Sequence, residues 1–182
     1  MFIKQLSTQS VSPLSNTFLF ELANIPEEDQ NLLKKLSLRA LNMIYTYTNG
    51  RVITETNFEI YIDYDELDSY SYTLPVRPIT TITSISSFDV DNAETVMDTA
   101  DYYYVVGDNT VFFKDLPRNV RPNRSYKIAM TAGYDFNNTP LDLIAAVEQL
   151  TIFLYENRGD TATLDIPVSI RMLLDTYVIH RF

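Results

Sequence analysis

The run from Thr139 to Gly159, in the last quarter of the chain, constrains the fold most strongly. Thr139 and Pro140 are typical of a helix start, and Asp142 lies where a carboxylate can bond back to the cap amide. Arg158 and Gly159 are typical of a helix end, with the glycine as a left-handed cap. Between these ends, apolar residues cover nearly the whole circumference. The run therefore predicts a central helix that is buried nearly all round.

The composition excludes several kinds of functional site and disfavours one kind of partner. A length of 182 residues predicts one domain that folds without a metal or a disulfide. The absence of cysteine excludes a disulfide, a thiolate zinc site and a thiol nucleophile. A net charge of −10 disfavours tight wrapping of nucleic acid, although DNA could still slide past such a surface. No run predicts a transmembrane helix or a secretion signal, so we expect folding in a cytoplasm.

Two further amphipathic runs predict helices. The first opens at Asn24–Asp29, with a proline and three acids at its start, and stops at Asn49–Gly50. The last covers Pro167 to Val178. Apolar residues recur in both at spacings of three and four, which gives each helix one apolar face. The two faces include Leu33, Leu36, Met43, Ile170, Leu173, Leu174 and Tyr177.

The middle of the chain changes to a period of two, which is typical of half-buried strands. Phe58 to Tyr64 alternates in this way, and Tyr70–Leu74 is predicted to pair back on it as a hairpin. Thr80 to Phe88 and Ser125 to Thr131 predict further strands, and Gly107–Asn109 predicts another hairpin turn. About six strands, linked by hairpins, predict a small antiparallel sheet.

These patterns together predict an α+β fold. Residues 1–23 are interpreted as an N-terminal surface arm whose end docks on the core. Residues 24–182 form the main domain, in which the segments 24–50 and 139–182 supply a three-helix base. The segment 51–134 is a β insert that projects from this base.

Residues suited to catalysis are scarce. The one histidine, His180, lies near the chain end, and no nucleophile elbow, phosphate loop or zinc-binding helix motif occurs. Two acidic runs, Asp63–Asp68 and Asp89–Asp101, remain candidates for calcium binding or carboxylate-dependent catalysis. Neither has the spacing of an EF-hand, and a solvated hairpin tip is the simpler interpretation. We expect no catalytic residue, no cofactor and no metal.

Three of the arginines cluster in one loop, at Arg118, Arg121 and Arg124. Such a cluster could contact a phosphate backbone or an acidic partner. It could equally be a solvated loop of an acidic protein, and the sequence favours neither interpretation.

An ordered set of local patterns runs from Asn24 to Arg181. In chain order these are Tyr45–Arg51, Leu74–Ile79 with Ile82–Ile85, Met130–Tyr134, Leu154–Arg158, and Ile166–Pro167 with Leu173–Tyr177. In this order they resemble the head–tail connector proteins of tailed bacteriophages and gene-transfer particles, which are also called adaptor or head-completion proteins. The β segment is longer than in the smallest members, and the arm before Asn24 matches no pattern of the family.

The resemblance implies a structural virion protein without enzymatic activity, assembled in the host cytoplasm and located in the neck. Family members form a ring, usually dodecameric, beneath the portal, where they extend the DNA channel and dock the stopper or tail-completion protein. The implied partners are the portal, the stopper, further copies of the chain, and passing double-stranded DNA bound without sequence specificity. No membrane is implied.

The resemblance also assigns residues. The C-terminal segment of such proteins contacts the portal, which assigns portal contact here to Val178, Ile179, His180, Arg181 and Phe182. The first helix, from Pro26 and with Leu33, Leu36 and Met43, and the central helix, from Pro140, are assigned to the ring-forming core. The apolar residues of the last helix are assigned either to the core or to the portal: Ile170, Leu173, Leu174 and Tyr177. Three alternatives stay open: another neck or tail-completion protein, a small calcium-binding or carboxylate-dependent enzyme, and a β-type binding module built on the aromatic hairpins.

Overall fold

A computed structural model describes residues 2–6, 26–67, 70–105, 109–135, 137–159 and 165–179. Within these residues the chain forms three α-helices and two antiparallel sheets. The prediction of a mixed α+β chain is confirmed. The described residues divide into a β unit, residues 2–6 and 55–133, and a helical unit, residues 26–54 and 134–179. The predicted domain boundaries and the projection of a sheet from a three-helix base stay predictions.

The three helices all belong to the helical unit. Helix α1 spans Gln30–Tyr47, α2 spans Leu141–Glu156 and α3 spans Val168–Leu174. Single 3₁₀ turns precede α1 at Glu27–Asp29 and follow α3 at Asp175–Tyr177. Helix α1 stops where Asn49 and Gly50 adopt positive φ angles of 57° and 114°, a conformation that cannot continue a right-handed helix.

The helices share one hydrophobic core. Its buried members lie on α1, on α2, on α3 and just outside them: Leu33, Leu36, Ala40, Leu41, Ile44, Ile53, Leu143, Ala146, Val147, Leu150, Leu154, Ile166, Ile170 and Leu174. The polar Thr151 is also fully buried, and its hydroxyl donates to the carbonyl of Val147 at 2.7 Å. The core therefore contains no unsatisfied group at this position.

Helix α2 is buried on one side only, so the prediction of burial nearly all round is wrong. The side chain of Leu141 is 81% exposed, Gln149 and Glu156 are exposed, and Ile152 is half-buried. The buried positions follow each other at intervals of three and four residues. The sequence shows that a helix face is apolar but does not show whether another element covers it. No described element covers this face of α2.

The predicted caps of α2 are also wrong. The hydroxyl of Thr139 donates to the carbonyl of Asp135 at 3.1 Å, and the helix begins after Pro140 without a side-chain cap. Gly159 is not among the glycines with a left-handed φ angle. The last carbonyls of α2 are instead bonded by side chains, from Asn157 to Phe153 at 2.8 Å and from Arg158 to Tyr155 at 3.1 Å.

The β unit contains eight strands in two sheets. The strands are β1 Phe2–Gln5, β2 Thr56–Ile62, β3 Ser71–Thr73, β4 Ile79–Phe88, β5 Glu94–Val96, β6 Tyr102–Val105, β7 Thr110–Phe113 and β8 Tyr126–Ala132. One sheet has the order β1-β2-β8-β4-β5, and the other has the order β3-β7-β6. Strand β8 is central, with Ile128 in register with Ile60 on one side and Ile85 on the other.

The sequence predicted some of these strands and missed others. The alternation at β2 and β8, the strand at β4 and the pairing of β6 with β7 are confirmed, while residues 106–108 of the predicted β6–β7 turn lie outside the described part. The expected hairpin between β2 and β3 is wrong, because β2 pairs with β1 and β8 while β3 pairs with β7. The predicted number of about six strands refers to the segment 51–134, whose described residues form seven, β2 to β8. The prediction of a surface arm is wrong for residues 2–5, which form β1; residues 7–25 lie outside the described part.

The buried side chain of Tyr126 stabilises the β unit, and we expect this stabilisation to be lost at alkaline pH. Its side chain is fully buried, its hydroxyl donates to the carbonyl of Pro117 at 2.8 Å, and burial raises its pKa to about 12. An unfolded phenol has a pKa of about 10, so this stabilisation is complete below about pH 10 and is lost as the pH rises towards 12. We expect the free energy of unfolding to fall by about 2–3 kcal/mol from this group over that interval.

Urea unfolding of the wild type and of Tyr126→Phe through this pH range checks the expectation. The variant should show the shallower decline, because it has no phenol to ionise. The matched control is Tyr103→Phe, at a half-exposed position on β6, which should follow the wild-type slope. An unchanged slope in Tyr126→Phe would contradict the assignment.

Candidate functional site

A groove of about 610 Å³ runs along the outer face of α1 in the helical unit. One wall is α1 itself, and the other is the segment Asp165–Ile166 that precedes α3. The lining combines cationic, apolar and neutral polar side chains: Lys35, Leu38, Arg39, Asn42, Met43, Thr46, Tyr47, Asp165 and Ile166. We call this feature the α1 groove. Its length along a helix and its apolar content suit it to a protein segment.

The wall opposite α1 is held in place by hydrogen bonds. Arg171 on α3 pairs with the carboxylate of Asp165 at 2.8 Å and donates from Nε to the carbonyl of Ile166 at 2.7 Å. At the end of the groove, the hydroxyl of Tyr47 donates to Asp175 at 2.6 Å. This hydrogen bond, together with desolvation, raises the pKa of Tyr47. The α1 groove is thus a preformed feature of the helical unit.

The distinctive electrostatic feature of the α1 groove is the positive charge that α1 contributes. The helix carries Lys34, Lys35 and Arg39 and contains no acidic residue. Lys35 and Arg39 line the groove and form no hydrogen bond or ion pair with another described residue. The groove therefore offers two positive charges that no described residue pairs, beside an apolar floor.

Three other cations of the helical unit, Arg51, Arg158 and Arg171, are engaged within the chain. The guanidinium of Arg51 lies 5.6 Å from the ring centre of Tyr177 and donates to the carbonyl of that residue at 3.4 Å. Arg158 lies 4.2 Å from the ring centre of Tyr155. Together with the Arg171 pair, these contacts leave the side chains of Lys34, Lys35 and Arg39 of α1 without a partner among the described residues, and only Lys35 and Arg39 of these three line the groove.

The helix residues assigned to the ring or core lie in the core of the helical unit. Leu33, Leu36, Ile170 and Leu174 are buried there, and the remaining three, Met43, Leu173 and Tyr177, are half-buried and pack against it. Met43 also lines the α1 groove. A role of these residues in a ring stays a prediction.

The residues assigned to portal contact divide into two groups. Val178 is half-buried and Ile179 is 4% exposed. The amide of Ile179 donates to the carbonyl of Thr48 at 3.0 Å, and its carbonyl accepts from the side chain of Asn49 at 3.2 Å. Residues 180–182, which include His180, lie outside the described part. The chain is therefore fixed to the end of α1 as far as Ile179, and the portal assignment stays a prediction.

Two of the three clustered arginines stabilise the β unit. Arg121 donates twice to the carbonyl of Arg124, at 3.0 and 2.8 Å, and once to Asn92 at 2.9 Å, while its guanidinium lies 4.1 Å from the ring centre of Phe88. Arg124 stacks 4.5 Å from the ring centre of Phe2 on β1. Arg118 is exposed. Contact of these residues with DNA or a partner stays a prediction.

The acidic runs bond to their own turns. Asp63 and Glu66 form a capping box around the turn Tyr64–Glu66. Asp89 accepts two backbone amide hydrogen bonds within its own turn, at 2.9 and 2.8 Å, and Asp98 accepts one at 2.9 Å. In the described part of the chain, no group of three or more acidic or histidine side chains is placed to hold a metal ion.

Sequence reasoning missed the α1 groove. The signal that points to it is the run of two lysines and an arginine without a single acid on α1. The groove itself depends on Asp165 and Ile166, which are more than a hundred positions further along the chain and approach α1 only through tertiary packing. None of the helices in the described ranges is long and apolar enough to cross a membrane.

Known proteins resemble this chain in fold. No family model and no curated protein matches the sequence. A chain in the neck of an empty GTA particle, computed with C6 symmetry, matches with a TM-score of 0.83 and 20% identity, covering 100% of this chain and 97% of that one. A chain in the virion of a native gene transfer agent (GTA) particle matches with a TM-score of 0.78 and 19% identity, with the same coverage.

A chain in the neck of a native GTA particle, computed with C12 symmetry, matches with a TM-score of 0.73 and 20% identity, again over 100% and 97% of the two chains. The fold is therefore that of chains found in neck and virion structures of gene transfer agent particles. The resemblance to proteins of gene-transfer particles is confirmed at the level of the fold.

Proposed function

We propose that this protein is a structural, non-enzymatic subunit of the neck of a tailed bacteriophage or a gene-transfer particle. It acts as the head–tail connector, forming a ring under the portal that completes the head after DNA packaging, extends the DNA channel and docks the stopper or the tail. The observation that carries the proposal is the full-length match in fold to a GTA neck chain, with a TM-score of 0.83. The ordered patterns from Asn24 to Arg181 support it independently.

The chemistry of the chain is compatible with this role. A net charge of −10 repels phosphate, so DNA can pass a ring of such subunits without being held. A ring also needs two different surfaces on each subunit. The cationic outer face of α1 in an acidic protein supplies one distinctive surface.

Deleting the gene from the genome that encodes it tests the proposal. We expect heads that lack attached tails, and we expect the full chain supplied in trans to restore tailed particles. Cryo-electron microscopy of particles that carry an enlarged, tagged chain should show the additional density as a ring between head and tail. Normal tailed particles after deletion, or a tag elsewhere in the particle, would overturn the proposal.

The portal contact is tested by a truncation that removes only residues 180–182. We expect this chain to melt like the wild type, because Ile179 and its hydrogen bonds stay in place. We expect it to co-purify less with the portal protein, because the assigned contact segment is shortened. Unchanged co-purification would exclude residues 180–182 from the portal contact.

A further inference from the structure

We propose that the α1 groove of one subunit receives the outer face of α2 from a second copy of this chain. This inference rests on the proposed function, because it names the partner that the groove meets in the ring. The outer face of α2 is defined by Leu141, Ala145, Glu148, Ile152 and Glu156, which recur at spacings of three and four and so lie along one side of the helix.

The two helices carry opposite charges. Helix α1 contains three cations and no acid, whereas α2 contains Asp142, Glu148 and Glu156 and no cation. Lys35 and Arg39 are the cations that line the groove. A contact between α1 and α2 of neighbouring copies would pair these charges, and opposite potentials favour one partner over others.

The two surfaces also match in their apolar content. Leu38 and Met43 contribute to the floor of the groove. On the outer face of α2, Leu141 is 81% exposed and Ile152 is half-buried. In both cases the apolar residues lie along a helix and the charged residues flank them. This is the pattern by which an amphipathic helix occupies a groove.

Glu148 gives a further reason for a cationic partner. It is half-buried on the outer face of α2, and desolvation by burial raises its pKa. No cation lies on its own helix, and no ion pair of this residue with another described residue occurs. A partly desolvated carboxylate is stabilised in its charged form by a nearby cation. Lys35 or Arg39 of the second copy would supply that cation.

The placement of the two surfaces suits a ring. Helices α1 and α2 bury facing sides in the same core, at Leu33 to Ile44 and at Leu143 to Leu154. Their outer faces therefore point away from each other on opposite sides of the helical unit. Contact between the front of one copy and the back of the next is heterologous, and repetition of such a contact gives a ring when the rotation between copies closes.

Thiol cross-linking of the full chain tests the contact. The natural sequence has no cysteine, so two introduced thiols are the only ones present. Asn42→Cys places one in the α1 groove, and Gln149→Cys places one beside the outer face of α2; both positions are exposed. With a short bismaleimide, the double variant should give a ladder of multimers, at high concentration and in assembled particles. Each single variant should give no ladder, because a heterologous contact never brings two identical positions together.

A charge exchange tests the pairing. Lys35→Glu with Arg39→Glu should weaken self-association about tenfold or more and remove the ladder, since two interfacial pairs are lost. Adding Glu148→Lys and Glu156→Lys to that chain should restore both. The control is Lys34→Glu, a single charge reversal on the same helix outside the groove, which should assemble normally. Thermal melts of every variant separate loss of contact from loss of fold.

The outcomes separate this inference from the proposed function. A ring in the particle neck without a ladder from the 42/149 pair would overturn the inference and leave the function in place. A ladder in a protein that is absent from the neck would overturn the function and leave the contact in place. A chain that neither cross-links nor appears in the neck would overturn both. Rescue failure in the charge exchange, with all variants folded, would also overturn the inference.

Discussion

Leu150→Ala is expected to lower the free energy of unfolding of the helical unit by about 2–5 kcal/mol. Leu150 is completely buried on α2, in the core that α1, α2 and α3 share. Truncation at this position removes apolar contacts and leaves a cavity, which surrounding helices fill only in part. A loss of this size approaches the whole stability of a typical domain.

Urea and thermal unfolding, followed by circular dichroism at 222 nm, measure this effect. The control is Gln149→Ala, at the neighbouring exposed position, which should change stability by no more than about 0.5 kcal/mol. If both variants melt alike, the buried face of α2 has been assigned incorrectly.

Removal of residues 178–182 is expected to destabilise the helical unit by about 2.5–6 kcal/mol, unlike removal of residues 180–182 alone. The longer deletion eliminates the buried side chain of Ile179, worth about 1.5–3 kcal/mol. It also eliminates the two hydrogen bonds to Thr48 and Asn49, worth about 0.5–1.5 kcal/mol each. Asn49 would then lose a partner that fixes its left-handed conformation at the end of α1.

Melting temperatures of the two truncated chains and of Ile179→Ala provide the comparison. Ile179→Ala should fall between the two truncations, because it keeps the backbone hydrogen bonds. Equal stability of the two truncated chains would show that Ile179 contributes nothing to the core. The result also decides how loss of portal binding is interpreted, since only the shorter truncation leaves the fold intact.

Local patterns predicted much of the fold because they report burial along one element. The alternation at Tyr126, Ile128 and Met130 and the helical spacing at Leu33 and Leu36 each correspond to one buried face. Local patterns do not determine which strands pair with each other. Strand β2 joins β1 and β8, far away in sequence, and the alternation is equally compatible with a nearby partner.

The candidate site was harder to predict from the sequence, because it also depends on contacts between residues far apart in the chain. The α1 groove exists because Asp165 and Ile166 approach α1, and a tertiary contact of this kind leaves no periodic signal. The arginine loop is a second example. Its clustering is equally compatible with an external partner and with a solvated loop, and the sequence does not show that Arg121 stacks on Phe88 and bonds to the backbone of its own loop. Composition reveals how many charges a chain has but not which of them are already paired.

The chain leaves the helical unit and returns to it at neighbouring residues. Thr54 and Tyr134 form a parallel bridge, and the amide of Tyr134 donates to the carbonyl of Ile53 at 3.2 Å. Because the ends of the intervening segment already meet there, its length affects the closure entropy only weakly, by about 0.6 kcal/mol for each doubling. The bridge is therefore a position at which the intervening segment could be replaced by one of different length at little cost in closure entropy. Exchange of the segment for a longer or shorter one would leave the packing of the helices unchanged.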